Sequence, residues 1–221
     1  MERLESLGID DYKIYQDDQK YCFTSDSILL SRFATVKKGD KVADFCAGSG
    51  IVGIHLYALN SKLIESVTLF EMQEPLSNLA TKSIRINNLQ DKITVINTRV
   101  QDIDKAFNGR FSLIVCNPPY MKVSNGQTPT NDEIALCKSE ISLTLEELVK
   151  SIAKALKFGG RVDIVHRSDR LIEVIEQLKK NGIEPKKLQF VRAKTGEPYL
   201  FLIEGVKGAK SGLKVFNEIE N

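Results

Sequence analysis

Short apolar segments alternate with amphipathic ones along most of the chain, and this alternation limits the fold more than any other feature. Buried parallel strands are apolar throughout, and each needs a crossover helix before the next strand can pair. Strands are predicted at 41–46, 66–71, 92–97, 111–116, 160–166, 186–192 and 198–205, with only a short polar loop between the last two. We therefore predict an α/β fold with a doubly wound, mostly parallel, seven-stranded Rossmann-like sheet and an antiparallel C-terminal hairpin.

The segments between these strands carry helix signals. The first helix is predicted at 26–34 with Asp26 as its N-cap. Further helices are predicted at 49–60, from Pro75 to about Asn88, from a T-x-x-E capping box at Thr144 to about Lys157, and after Ser168 with Ile172, Ile175 and Leu178 on its apolar face. Gly159 and Gly160 are expected to end the helix that starts at Thr144.

The composition favours a globular protein of a reducing compartment. Hydrophobic residues make up 42% of the 221 residues and charged residues 27%, and no apolar run approaches the roughly 20 residues of a membrane helix. The N-terminus lacks a signal-peptide core. Four dispersed cysteines and two histidines indicate neither a disulfide framework nor a metal site. We expect a cytoplasmic protein without a metal.

A glycine-rich loop, DFCAGSGIVG at 44–53, links the first core strand to its helix. Gly48, Gly50 and Gly53 satisfy G-x-G-x-x-G, and Glu71 follows at the spacing of a ribose-binding acid, so a dinucleotide oxidoreductase is one candidate. Asp44 argues against it, because a carboxylate beside the loop repels a pyrophosphate and attracts a cation. S-adenosylmethionine carries a cationic sulfonium and a cationic ammonium group. Its ribose suits Glu71 and its adenine amino group suits Asp102.

The second motif is NPPY at 117–120, directly after the apolar run 111–116. Pro118 and Pro119 lack backbone donors and stiffen the loop, which presents Asn117 and Tyr120 at a strand end. An exocyclic amine on a ring is a poor nucleophile because its lone pair is delocalised. The Asn117 side-chain carbonyl and the Pro118 backbone carbonyl are the acceptor pair that would localise it, and Tyr120 offers a ring for stacking a flipped base.

These motifs carry a family resemblance. DxxxGSG from Asp44, an acid ending the second strand and NPPY after the fourth resemble class I S-adenosylmethionine-dependent methyltransferases that act on exocyclic amines. YxFTSDSILLSRFA before the glycine loop and CKSEISLTLEELV after NPPY resemble the bacterial tRNA1(Val) adenine-37 N6-methyltransferases. The resemblance implies one domain over 1–221, with 1–40 as an N-terminal extension and 41–221 as the catalytic core. Cys116 stands where many family members have an acid.

The resemblance also implies the site residues. The amine would be held by Asn117, Pro118, Pro119 and Tyr120. The cofactor would be bound by Asp26 near its methionine end and by Asp44, Cys46, Ala47, Gly48, Ser49, Gly50, Glu71, Met72, Gln101, Asp102 and Asn117. A tRNA is the implied partner, without a membrane. The oligomeric state, monomer or homodimer, stays open.

Other substrates and roles remain open at this point. NPPY also occurs in enzymes that methylate ribosomal RNA guanine N2, protein glutamine or DNA adenine, and a non-catalytic RNA-binding module of the same fold is a further alternative. From Glu184 to Lys214 the chain holds seven basic and three acidic residues, which makes this stretch a candidate for phosphate contacts. Residues 122–140 lack periodicity and are expected to form a loop near the target base.

Overall fold

The computed structural model describes residues 1–18, 25–120 and 143–221. The expected loop at 122–140 therefore lies outside the described residues, as does the start of the FTSD segment. The described strands are β1 Glu2–Ser6, β2 Lys13–Asp17, β3 Asp40–Phe45, β4 Ile64–Glu71, β5 Ile93–Asn97, β6 Phe111–Cys116, β7 Leu156–Arg167, β8 Ile183–Arg192, β9 Pro198–Lys207 and β10 Lys214–Glu220. The described helices are α1 Ser25–Phe33, α2 Ile51–Asn60, α3 Glu74–Ile86, α4 Leu145–Ala155 and α5 Leu171–Lys180.

One large sheet has the strand order β10-β8-β9-β7-β6-β3-β4-β5. Strand β9 runs antiparallel to β7 and β8, and every other pair in this sheet is parallel. The mostly parallel sheet and the antiparallel β8–β9 hairpin are thus confirmed. Helices α1, α2 and α3 pack in one buried cluster and α4 and α5 in another, which is the doubly wound arrangement.

Two parts of the architecture were not predicted. Strand β10 adds an eighth, parallel strand at the edge beside β8, and β1 and β2 form a separate two-stranded sheet. The β2 strand docks on α3 through Ile14, which is fully buried in the same core cluster, and through two hydrogen bonds: Tyr15 N donates to Ser83 Oγ at 2.9 Å and Lys13 N to Asn87 Oδ1 at 2.9 Å. Both additions are rich in charged residues, so neither shows the apolar run of a buried strand.

Several predicted element ends need correction. The capping box at Thr144 is present, with Thr144 N donating to Glu147 Oε2 at 2.9 Å. However, α4 ends at Ala155, and Gly159 and Gly160 lie inside β7 at an irregularity in its pairing with β6. The prediction that they end the helix is wrong, because the chain turns directly from helix to strand.

The two other corrected ends concern α1 and α5. Asp26 lies in the first turn of α1, one residue after the helix begins, and not at its N-cap. After Ser168 a 3-10 turn precedes α5, which buries Val174 and Leu178 and leaves Ile172 67% exposed. The predicted apolar face of this helix was therefore partly wrong.

A polar network is buried in the sheet around β7. Arg161 pairs with Asp40 at 2.5 Å, and Lys187 pairs with Glu204 at 2.9 Å. Asp163 stands opposite Glu204 in the β7–β9 register, is fully buried, and finds no hydrogen-bond partner for either oxygen among the described residues. Burial raises the pKa of Asp163 well above its usual range, and the neighbouring Glu204 raises it further.

Candidate active site

A cavity of about 530 Å³ opens at the carboxyl ends of β3, β4, β6 and β7. This is the edge at which ligands bind in open α/β sheets, and the volume is that of a small-molecule site. Twelve of the fifteen predicted site residues line the cavity. The three that do not are Asp44, Gly50 and Asp102.

The glycine-rich loop forms one wall of the cavity. Cys46, Gly48 and Gly50 have φ values of 61°, 57° and 87°, so the loop winds through the left-handed region before α2 begins. Only glycine adopts that region without strain, and Cys46 therefore holds a strained backbone. A Cβ added to Gly48 would have no atom within 4 Å, whereas a Cβ added to Gly50 would lie 2.9 Å from Leu69 Cδ1. Gly48 thus keeps the cavity wall open, and Gly50 permits close packing behind it.

Asp44 lies behind this loop. Gly53 N donates to Asp44 Oδ2 at 2.8 Å, while Asp44 Oδ1 finds no partner among the described residues. Burial raises the pKa of Asp44 to about 8, and Glu71 adds a smaller repulsion. The structure therefore places Asp44 as a support that joins the glycine loop to α2, one layer from the cavity. Its attraction for a cationic ligand stays a prediction, to which the unpaired oxygen is suited.

Glu71 fastens the same loop from the end of β4. Its Oε2 accepts from Gly48 N at 2.8 Å and its Oε1 accepts from Gln73 N at 2.8 Å. Burial raises the pKa of Glu71, and the backbone donors of Gln73 and Gly48 oppose that rise. The carboxylate lines the cavity beside Met72, so it lies where a ribose acceptor is expected. A carboxylate oxygen accepts more than one hydrogen bond, and the backbone bonds leave that role available.

The predicted adenine contact at Asp102 is placed differently. Asp102 belongs to the 3-10 turn 100–102 and is exposed, and its neighbour Gln101 lines the cavity instead. The turn rotates adjacent side chains apart, which the sequence does not reveal.

The NPPY segment forms the opposite wall. Asn117 Nδ2 donates to Ser27 Oγ at 3.0 Å, and the Tyr120 hydroxyl donates to Asn117 Oδ1 in a short hydrogen bond. The Tyr120 ring lies 5.3 Å from the His166 ring, centroid to centroid. Asn117 is therefore held from both sides, and its carbonyl end faces the tyrosine. Burial raises the pKa of the preceding Cys116 thiol, so this position supplies no charge.

Sequence reasoning missed the residues that complete the cavity. Ser27 enters from α1, and its place in the FTSDS segment beside Asp26 was the available signal. Phe70, Leu76 and Val100 supply an apolar wall, and Tyr199 enters from β9. These residues are far apart in sequence, so only the fold brings them together.

The N-terminal extension contacts both walls. Gln16 of β2 is buried and donates to Ser49 Oγ of the glycine loop at 2.6 Å, while Ser27 of α1 contacts Asn117. The glycine loop and the NPPY motif are thus fixed by neighbouring parts of one segment.

The basic C-terminal stretch does not gather at the cavity. Strand β9 runs antiparallel, so it carries Lys207 to the sheet edge opposite the cavity, and Lys186 reaches the Lys210 carbonyl oxygen there at 3.2 Å. Lys207 Nζ donates to the carbonyl oxygens of Ala153 and Leu156 at 2.5 and 2.9 Å, where α4 ends. Lys207 therefore stabilises a helix end. Phosphate contacts by this whole stretch are no longer our expectation.

Within the described ranges, no group of three or more His, Cys, Asp and Glu side chains is arranged to bind a metal ion. No described helix is long and apolar enough to cross a membrane.

Comparison with known proteins decides the family. A family model described as "Methyltransferase small domain" matches residues 23–181, which is more than half of the chain. The chain belongs to this methyltransferase family. The oxidoreductase interpretation of the glycine loop is thereby set aside.

Two curated relatives of this methyltransferase have names that state a substrate. A tRNA1(Val) (adenine(37)-N6)-methyltransferase from Shewanella woodyi is 25% identical over 203 residues, covering 87% of this chain and 82% of the relative. A release factor glutamine methyltransferase from Clostridium botulinum is 28% identical over 156 residues, covering 67% of this chain and 54% of the relative.

Among solved structures, M. jannaschii TYW2 in complex with AdoMet shares the fold. Its TM-score is 0.64 at 13% identity, with 93% of this chain and 85% of that chain covered. The cofactor of the methyltransferase is S-adenosylmethionine. The cavity fits it in chemistry: Glu71 suits a ribose, and the apolar wall suits an adenine ring.

Proposed function

We propose that this methyltransferase acts on the exocyclic N6 amine of an adenine in RNA, the adenine 3′ to the anticodon of a tRNA. The observation that carries the proposal is the Asn117 side chain, fixed at the cavity wall between Ser27 and Tyr120 and followed by two prolines. A preorganised amide carbonyl next to a cofactor cavity is what an amine acceptor site requires.

The mechanism rests on the amine's two N–H bonds. Asn117 Oδ1 and the Pro118 backbone carbonyl accept them, which draws the nitrogen lone pair out of conjugation with the ring. S-adenosylmethionine supplies an electrophilic methyl group when it is bound. The amine nitrogen held by Asn117 and Pro118 would take that methyl group, the sulfur would leave with the electrons of the carbon–sulfur bond, and the nitrogen would release a proton to solvent. No side chain has to act as a strong base, because the methylated ammonium is acidic.

An adenine is favoured over glutamine by two observations. The tRNA-modifying relative is covered over 82% of its length and the glutamine-modifying relative over 54%. In addition, Tyr120 and Tyr199 both line the cavity and offer rings on which a planar base can stack. Glutamine has no such ring, so the aromatic lining would bring it no comparable benefit.

An RNA substrate would present the base from an unpaired loop, where taking it out of the stack is least costly. Two cations at the cavity side of the sheet are suited to its phosphates. Arg167 lines the cavity with its side chain 54% exposed, and exposed Lys194 follows the end of β8. These two replace the far-edge lysines in our proposal, and a tRNA substrate would place the enzyme in the bacterial cytoplasm.

The test is methylation in vitro with three acceptors: tRNA lacking modifications, ribosomal RNA and a release factor. Isotope-labelled cofactor and nucleoside mass spectrometry identify the product. We expect N6-methyladenosine in tRNA, at the position 3′ to the anticodon. Label in guanine of ribosomal RNA or in the release factor alone would contradict the proposal and support the corresponding alternative. No transfer to any acceptor by the purified chain would favour a non-catalytic module.

A further inference from the structure

We propose that Ser27 is a positioning residue that holds the Asn117 amide with its carbonyl end toward the substrate. This inference rests on the proposed function, because it concerns the acceptor carbonyl that holds the amine. Ser27 belongs to α1 and Asn117 follows β6, 90 residues later. The contact is therefore made by the fold and not by a local motif.

The amide of asparagine has two ends of similar shape and opposite chemistry. Its oxygen only accepts hydrogen bonds, and its NH₂ group only donates them. Rotation by half a turn would present N–H bonds to the target amine, which also offers N–H bonds, and the acceptor pair would be lost. The catalytic arrangement thus needs hydrogen-bond partners that favour one of the two amide orientations.

Two side chains next to Asn117 are such partners. Ser27 Oγ accepts from Nδ2 at 3.0 Å, and the Tyr120 hydroxyl donates to Oδ1. A phenol is a better donor than acceptor, because its oxygen lone pair is shared with the ring. Tyr120 therefore selects the carbonyl end, and the Ser27 hydroxyl, which can donate as well as accept, holds the NH₂ end in that orientation.

Burial makes the Ser27 contact hard to replace. Ser27 is 2% exposed, so no bulk water competes for the Asn117 NH₂ group on that side. Helix α1 is itself fastened: Asn221 Nδ2 donates to Ser25 Oγ at 2.7 Å, and buried Ser31 is hydrogen-bonded to His55 at 2.7 Å. The Ser27 oxygen thus stands at a fixed place, and its loss leaves a donor without a partner.

The expected effect is on turnover and not on cofactor affinity. One neutral hydrogen bond corresponds to a factor of about 5 to 10 in an orientation equilibrium. Ser27→Ala should therefore lower kcat by about 5- to 10-fold at saturating cofactor, with the S-adenosylmethionine Kd within about 2-fold of wild type. Ser27→Thr keeps the hydroxyl acceptor and should recover most of the lost turnover.

Ser31→Ala is the matched control. Ser31 lies one turn further along the same helix and is equally buried, but its partners are His55 and the Ile28 carbonyl oxygen. Any loss of stability from deleting a buried serine hydroxyl in α1 should appear in both alanine variants. Only Ser27→Ala should lower kcat.

A second readout does not need activity. With asparagine labelled at the side-chain nitrogen, the Asn117 NH₂ signals report hydrogen exchange by NMR. Wild type and Ser31→Ala should exchange slowly, and Ser27→Ala at least about 5-fold faster, the factor assigned to the lost bond. Unchanged exchange, or faster exchange with unchanged kcat, would overturn the positioning role.

The proposed function and the role of Ser27 can be refuted by different results. If Asn117→Ala turned over like wild type, the role of NPPY as acceptor would be wrong, whatever the NMR result for Ser27. If Asn117→Ala were inactive and Ser27→Ala fully active, the proposed function would stand and this inference would be overturned.

Discussion

Gly53 is the position where the structure makes the sharpest prediction about stability. A Cβ added there would fall well inside the contact distance of Leu69 Cδ2, and would lie 3.2 Å from both Asp44 Oδ2 and Val67 Cγ1. Leu69 and Val67 are fully buried or nearly so, and a shift of either side chain must be taken up by its packed neighbours. Gly53→Ala therefore overpacks the core and displaces the Asp44 carboxylate that accepts from Gly53 N.

Overpacking of this kind costs about 1–3 kcal/mol, and weakening the buried hydrogen bond between Gly53 N and Asp44 adds about 1 kcal/mol, so we expect a loss of about 3 kcal/mol. For a chain of this size that is about 6–12 °C in Tm. Gly48→Ala is the matched control. Its Cβ meets nothing within 4 Å but its φ is 57°, so strain alone should cost about 1 kcal/mol.

Urea unfolding and calorimetric titration with S-adenosylmethionine separate the two variants. Gly53→Ala should lose much more stability than Gly48→Ala, whereas Gly48→Ala should show the weaker cofactor binding, because its new methyl group enters the cavity wall. Equal stability of Gly53→Ala and wild type would refute the packing argument.

Three further predictions follow from charges. The raised pKa of Asp163 means that the folded state favours its protonated form. The stability that this protonation contributes is present below a pH of about 4 and is lost as the pH rises through the pKa of the folded state. Asp163→Asn should flatten this loss and, in urea unfolding at pH 8, stabilise the protein by about 1 kcal/mol. Lys207→Met should lower stability by about 1 kcal/mol and leave RNA affinity unchanged, since its ammonium serves the end of α4. Arg167→Glu with Lys194→Glu should weaken tRNA binding and reduce the salt slope by about 2, whereas Lys210→Glu at the far edge should change neither. The first prediction is contradicted if Asp163→Asn keeps the steep loss of stability with rising pH, and the second if Lys207→Met binds RNA more weakly. The third is contradicted if the double variant keeps the salt dependence of tRNA binding unchanged.

The parts of the sheet and of the site that depend on neighbouring residues could be predicted from the sequence. The β3–loop–α2 unit, the capping box at Thr144 and the strand before NPPY each depend on neighbouring residues, so their positions were predicted closely. Strand β10 is held by backbone pairing with β8 and by ion pairs of Arg192 with Glu218 and Glu220, and its charged sequence gave no apolar signal.

The site was predicted less completely where contacts are long-range. Asp44 was expected beside the ligand, but the bond to Gly53 nine residues later turns its carboxylate to the interior. The Ser27–Asn117 contact spans 90 residues and depends on how α1 packs. Lys207 looked like a phosphate contact because charge counts do not show that β9 reverses direction.

The most direct test of the account is the rate of methyl transfer by Asn117→Ala in a single turnover with saturating S-adenosylmethionine. The substrate is unmodified tRNA, and the cofactor Kd is measured on the same preparation. We predict a rate at least about 100-fold lower than wild type, as for loss of one preorganised electrostatic contact, with a Kd within a few-fold of wild type. A near-normal rate, or a low rate explained by a cofactor Kd too weak to reach saturation, would contradict the claim that Asn117 holds the amine.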